Sequence, residues 1–476
     1  MDSSGEAPDR LSSLPNVLLV MIISSLSFKE CVSTSSISRR FRNLYRETTN
    51  ISFKESEFVT HRAFSGLPRM VARILFVRYM HEWVSRMPDH VIQSFEIHLP
   101  CPFGFGAEIA SLIAFAVSRQ VKKLVLDFSN PAWRSFHDAR RLPLLVHLPA
   151  CVYSLKTLES LKLYACGFDP SRFQYPEMLR SLHIGCVRLI NFEPLLRRCS
   201  KLDILSISHC WGLDLMNIAG DMREFAFNNC DFPFIACFFN LPKVDVFKYA
   251  GDINCLEFDR MNAIIKEVHL DFGLLGGYDG WNKETVAEGG MVCDLLNKLR
   301  DARTLTVCPY LIQVIQESEH PEHFLCPMKT QHLVLNTKLH PREFNGISLL
   351  LHNSPDLEKV TFDMISPSPY PFTTSTYGGI DSRTYWLKDT TYECLKTLKV
   401  VVVRNFCGGS NELDVLMFFI RSGRGSGSDR ERGDVLELIE IYLPNELDKT
   451  RLKSLRFRAE RVQHIARPIQ VLVHDP

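Results

Sequence analysis

One short pattern, apolar-x-x-apolar-x-apolar, recurs thirteen times between residues 92 and 441, and it constrains this chain more than any other feature. It opens at Ile92, Val121, Leu158, Leu179, Leu202, Met222, Val244, Ile265, Ala302, Leu357, Leu395 and Leu436. One further copy, at 330–335, has Thr330 in the first position. Side chains alternate across a strand, so the fourth and sixth residues of each copy point the same way. The fourth-position residues Leu161, Leu182, Leu205, Phe225, Phe247 and Val268 stand 20 to 23 residues apart; elsewhere the gap is 27 to 41. That spacing holds one strand, one turn and one return. A unit of this size cannot bury its apolar side alone, whereas stacked units bury a continuous core. The expected fold class is α/β, a curved parallel sheet with helical or loop returns. A doubly wound α/β domain is the rival, since it alternates the same elements.

The pattern and its period resemble leucine-rich repeats, in irregular form. Cys166, Cys210 and Cys230 follow at the position where such repeats take Asn or Cys, and Cys186 comes one residue early. The thiols are therefore expected to be buried ladder members and not metal ligands. Residues between the two inward positions should line the concave face: Lys162, His183, Ser206, Ala226, Lys248, His269 and Thr306, with Tyr164 and Trp211 beside them. Lys162, His183, Ser206, Lys248 and His269 are the candidate target contacts. The row mixes charges, small polar groups and aromatics, which suits a protein partner better than a phosphate backbone. Two helical returns are legible, Ile109–Leu112–Ile113–Ala116–Val117 and Phe192–Leu195–Leu196. Inserts at residues 273–290, 366–385 and 421–434 break the rhythm, and the last, rich in Gly, Ser and Arg, reads as a disordered loop.

Charge narrows the function. Lys plus Arg is 55 and Asp plus Glu is 54, so the chain as a whole carries no footprint for nucleic acid or an anionic membrane, and any basic site must be local. The fifteen cysteines form no Cys-x-x-Cys pair, which argues against zinc and for free thiols in a reducing compartment. The first ten residues have no apolar signal region, and apolar runs such as 112–117 are too short for a membrane span. A cytoplasmic or nuclear location is expected. No His-Glu-x-x-His, Gly-x-Ser-x-Gly or Walker loop is present. Gly104-Phe105-Gly106 mimics a dinucleotide turn, but Ile109 stands at the third glycine position, so an inter-repeat turn is expected and no cofactor.

The first fifty residues follow a different rule. Pro15 suits a first helical turn. Leu18, Leu19, Ile22, Ile23 and Leu26 fall at helical spacing, widened by Val17 and Met21. Ser27-Phe28-Lys29-Glu30 has the form of a capping box opening a second short helix with Phe28 and Val32. Ile37, Phe41, Leu44 and Tyr45 predict a third helix, coated by Arg39, Arg40, Arg42 and Arg46. Three helices this short cannot hide all their apolar surface among themselves. Another chain or domain is expected to cover part of it.

These residues resemble an F-box over about residues 10 to 50: Leu-Pro, a Leu-Leu/Ile-Ile helix, Ser-x-Lys-Glu, then Ser-Arg-Arg-aromatic-Arg-x-Leu. Asn16, Val17, Ser27 and Phe41 depart from the common pattern. The C-terminal stretch is similar to the FBD domain. It reads Cys394-Leu395-Lys396 to Asn405-Phe406, then a helix with Leu413, Leu416, Met417 and Ile420 on one face. Strands at 436–441 and 469–473 follow. The whole resembles the plant F-box/LRR/FBD family: an F-box at 1–50, a connecting helical segment at 51–90, leucine-rich repeats at 91–390 and an FBD domain at 391–476. The resemblance implies a non-enzymatic substrate-recognition subunit of a cullin–RING ubiquitin ligase that docks a Skp-family adaptor. Leu14, Pro15, Leu18, Leu19, Ile22, Ile23, Leu26, Ile37, Phe41 and Leu44 would include the docking face, together with part of the F-box's own core. Two alternatives remain open: a scaffold whose F-box no longer binds an adaptor, and a small-molecule co-receptor with a pocket in the solenoid.

Overall fold

The computed structural model describes residues 11–475 except 12, 27, 60–66, 134–135, 142–145, 214–216, 232–235, 260–264, 273–282, 319–324, 366–380, 387–391, 423–435 and 446–447. The glycine-rich stretch and most of the second insert lie outside the described residues. The chain divides into two compact units, Met1–Met222 with Asn229–Pro233, and Arg223–Asn228 with Phe234–Pro476.

In the first unit six strands run parallel in chain order: Asn50–Lys54, Ser94–His98, Lys123–Asp127, Ser160–Tyr164, Ser181–Gly185 and Ile204–Ser208. Their registers align one inward row, Ile51, Phe95, Leu124, Leu161, Leu182 and Leu205, and every member is fully buried. These are the fourth positions of the pattern. The first strand was not legible, because its leading position is the polar Thr48. Thr48 is buried, and its hydroxyl donates to Ser24 Oγ at 3.0 Å.

After three of these strands the chain turns through a left-handed residue, Ala165, Cys186 and His209, with φ near +55°. The residue after each turn fills the ladder, and Cys166, Val187 and Cys210 are all buried. Cys186 therefore occupies the turn, and Val187 takes the ladder place the cysteine was expected to fill. Burial pushes the thiols of Cys166 and Cys186 up to about 12, so neither is a ready nucleophile or ligand at neutral pH. All fifteen cysteines are free thiols.

In the second unit, among the described residues, nine strands of one sheet run parallel, from Glu224–Asn228 to Gln470–His474, and two more, Ala236–Asn240 and Cys255–Phe258, pair parallel outside that sheet. Its inward row is Phe225, Phe247, Val268, Leu305, Leu333, Val360, Val401, Ile439 and Val471. The copy expected at Leu395 is out of step by three residues. The strand is Val400–Arg404, and Leu398, Val401 and Val403 fill the buried positions. The uniform run from Val400 to Val403 fits the pattern in more than one frame.

Three returns also differ from the sequence reading. The insert at 273–290 is helical in its second part, within the helix Lys283–Lys298; Gly289 and Gly290 masked it, while Val292, Leu295 and Leu296 form its buried side. The helix Ser410–Ser422 is turned in part from the expected face. Leu416 and Ile420 are buried as expected, Val415, Phe418 and Phe419 are buried beside them, and Leu413 and Met417 are half-buried. Aromatic packing turns it: Phe418 lies 5.5 Å from Trp386 and Phe419 lies 5.8 Å from Phe362. A third helix, Lys449–Ala466, goes beyond what the sequence pattern predicts. Its signal was Asp448, whose carboxylate caps the amides of Thr450 and Arg451 at 2.9 Å each. No helix among the described residues is long and apolar enough to cross a membrane.

Candidate functional site

The helix Asn16–Ser24 begins after Pro15, whose carbonyl accepts from Leu18 and Leu19 N–H at 3.1 Å each. From Val17 to Ile23 every residue is apolar, so no face is polar enough to be left to water. A helix apolar all round needs neighbours on more than one side. One neighbour is internal: Leu19 and Ile23 pack with Cys31, Phe41 and Leu44 in a small closed core. The other side is bare. Val17 is 72% exposed, Met21 64%, Leu18 44%, Ile22 43% and Leu26 40%, and across the unit's turn Ile37 is 60% exposed.

The ten candidate residues thus separate cleanly. Leu19, Ile23, Phe41 and Leu44 are the core that holds the unit together. Pro15, Leu18, Ile22, Leu26 and Ile37 are exposed, and Leu14 is half-buried against the core. Val17 and Met21, the most exposed of the helix, were read only as widening its stripe and belong with the bare face.

The expected third helix is not an α-helix. Residues 39–43 are turns, and a 3-10 helix, Leu44–Glu47, follows. Its bonds close three residues back, Leu44 N–H to Phe41 C=O at 3.2 Å and Arg46 N–H to Asn43 C=O at 3.0 Å. The Ser38 hydroxyl accepts from Phe41 N–H at 3.4 Å and competes with a regular first turn. Arg40 swings back instead of coating a helix. Its Nε and Nη2 donate to the Asn16 side-chain oxygen at 2.9 and 2.7 Å, and Nη2 also donates to the Leu14 carbonyl. The second helix, Phe28–Ser33, forms as expected; Ser27 and the Phe28 side chain lie outside the described residues.

The N-terminal helical segment is bonded to the chain that follows it. Asn50 Nδ2 donates to the Ser24 carbonyl at 3.2 Å, and Lys29 Nζ donates to the Glu57 carbonyl at 3.1 Å. Next along, Glu55 is buried and meets Arg73 Nε at 2.7 Å, while Arg73 Nη2 donates to the Pro100 carbonyl at 2.6 Å. Because Glu55 has no solvent to screen it, removing Arg73 would strand a buried charge.

The candidate target contacts sit at middle strand positions. Lys162, His183 and Ser206 are side by side in the first unit, and Lys248 and His269 are side by side in the second. All five are half-buried. Local partners hold several of them. His183 Nε2 meets Ser181 Oγ at 2.9 Å, Lys248 Nζ meets Glu224 at 2.8 Å, and His269 Nε2 meets Glu267 at 2.5 Å. The same face of the first unit carries a charge cluster that sequence reasoning missed. His98 lies 3.5 Å from Asp127 and 3.6 Å from Glu96, and Lys123 Nζ lies 2.6 Å from Glu96. Asp127 and Glu96 together raise the His98 imidazolium to about 9; His98 and Lys123 hold the Glu96 carboxyl down at about 2. Only strand register, invisible in one sequence, brings these residues together. No cluster of His, Cys, Asp or Glu among the described residues could hold a metal ion.

The family model for the F-box domain matches residues 11–44, the segment that holds the closed core and the bare helix face. The chain is 51% identical to an Arabidopsis thaliana protein named for an F-box and leucine-rich repeats, over 98% of both chains. It belongs to the plant F-box/LRR-repeat family. An F-box protein of the same plant is 39% identical over 96% of both chains. An F-box/FBD/LRR-repeat protein is 29% identical over 44% of this chain and 43% of its own. Within this F-box, Phe41 is wholly internal, and Asn16 is the residue Arg40 grips. Both departures from the common pattern have a structural use.

Proposed function

We propose that this F-box/LRR-repeat protein is the target-binding subunit of an Skp–cullin–RING ubiquitin ligase and supplies no reacting group itself. One observation carries the reading. The F-box closes its own core with Leu19, Ile23, Phe41 and Leu44, yet leaves Val17, Leu18, Met21, Ile22, Leu26 and Ile37 in water. Burying such a side chain fully is worth about 1.5–3 kcal/mol, so six of them form a strong docking face. An apolar patch of this density on a soluble chain marks a binding surface. The adaptor of the Skp family is the partner that fits, since the patch lies inside the segment matching an F-box.

The repeats would hold the target while the ligase's charged enzyme delivers ubiquitin. Catalysis then comes from proximity, which raises the effective concentration of the target lysine. The hydrogen bonds from Asn50 to Ser24 and from Lys29 to Glu57 support this by tying the F-box to the first strand and the helix after it. The intracellular location expected of such a subunit follows from the same reading. The test is a reconstituted ligase with this chain as the only receptor. Proteins recovered from plant extract on the chain should gain ubiquitin only when adaptor and cullin are both present. Ubiquitin transfer that does not depend on the adaptor would overturn the proposal.

A further inference from the structure

The helix Lys449–Ala466 stands apart electrostatically. It carries six Lys and Arg residues against the single acid Glu460, a balance of +5, whereas the whole chain is at +1. The remaining residues together are therefore at −4, and the charge is concentrated on one helix. Its apolar side is already used: Ala459, Val462 and Ala466 are buried, and the helix packs on the strand Gln470–His474. Its opposite side carries Lys453, Phe457, Arg461 and His464, spaced at four, four and three residues, all exposed. Phe457 is 64% exposed, with a cation one turn to either side.

Some of the basic groups have structural duties. Arg456 pairs with Glu460 at 3.1 Å and Asp475 at 2.7 Å, and Arg458 donates to the Gly408 carbonyl at 2.8 Å. Lys453 and Arg461 have no ion pair or hydrogen bond among the described residues. They stand one turn to either side of a ring that is mostly exposed.

We propose that this helix face is where an acidic segment of the target protein docks, with Phe457 as its apolar anchor. The inference rests on reading the chain as a target-binding subunit. Charge complementarity selects an anion-rich partner. The geometry selects a protein among such partners. A helix lying in a membrane needs its apolar side free, and here that side is spent on the sheet. Single-stranded nucleic acid asks for a series of stacking rings, and this face offers one. A rigid aromatic ringed by cations matches an acidic stretch that carries a bulky apolar residue.

The test uses the full chain and a fluorescent peptide of about twelve residues, Asp and Glu around one central Leu, read by anisotropy. Parallel arms use the same peptide with Lys for the acids, phosphatidylserine vesicles and oligo-U RNA. The proposal expects the acidic peptide to bind best and to weaken steeply with salt. Lys453→Glu/Arg461→Glu should lower affinity at least tenfold, and Phe457→Ser several-fold. All three substitutions lie on an exposed face, so helix content should not change. A Skp-family adaptor titrated against the same preparations separates this proposal from the ligase reading. Adaptor binding should be the same in all variants, and its absence throughout would count against the ligase reading alone. Equal binding of the Lys peptide, tighter binding of vesicles or RNA, or undiminished peptide binding by the double variant would overturn the proposal.

Discussion

Leu18 and Leu19 are adjacent in the chain but stand in different surroundings: Leu19 is fully buried in the F-box core, and Leu18 is 44% exposed. Of two neighbouring leucines, one belongs to the core and the other to the bare face. Leu19→Ala should destabilise the first unit by roughly 2–5 kcal/mol. Leu18→Ser should change stability by no more than about 0.5 kcal/mol. Thermal melts of both variants decide this, and equal losses would show that the two side chains do not have separate roles.

Arg40 holds the start of the same helix through Asn16 and the Leu14 carbonyl. Arg40→Ala should cost about 1 kcal/mol, because these hydrogen bonds are partly replaced by water. The loss should be local. Amide exchange at residues 14 to 20 should quicken while the repeat strands stay protected. Unchanged exchange there would mean that Arg40 is only decoration.

The His98 cluster predicts a pH dependence. His98 rises from 6.5 to about 9, so its stabilisation is complete below pH 6.5 and fades as pH climbs through 9. Glu96 falls from 4.5 to about 2, so its stabilisation is present above pH 4.5 and is lost as pH drops toward 2. The cluster therefore contributes most between these limits, from pH 4.5 to 6.5. An NMR titration should place the His98 midpoint near 9. In His98→Gln the alkaline decline in melting temperature should be shallower. A midpoint near 6.5 would remove the cluster.

In the second unit Glu343 is fully buried. It accepts from Thr337 Oγ1 at 2.5 Å and from the N–H groups of Lys338 and His340 at 3.2 Å each. Burial raises its carboxyl above the usual range. Glu343→Ala leaves those donors without an acceptor and should cost roughly 3 kcal/mol. Glu343→Gln keeps one acceptor oxygen and should cost less. Urea unfolding of the two variants gives the order, and the reverse order would contradict the role assigned to the carboxylate.

Much of this architecture was legible because burial imposes its period on the sequence. The fourth-position residues from Phe95 to Ile439 mark nearly every strand. Legibility failed where the chemistry was not apolar. Thr48 hid the first strand by satisfying its hydroxyl through Ser24, and the terminal basic helix hid behind charges that its exposed side does not need to bury. It also failed where everything was apolar, at the valines from 400 to 403. The candidate docking residues stand out in the sequence as a group. Their division into core and face needed the structure, since Leu18 and Leu19 are the same residue in different surroundings.

The most direct measurement is calorimetric titration of a plant Skp-family adaptor into the full chain, beside Leu18→Ser/Ile22→Ser. Both substituted residues are exposed, so the variant should melt as the parent does. Micromolar or tighter binding by the parent, lost in the variant, is the predicted result. No binding by a well-folded parent, or equal binding by both, would contradict the account.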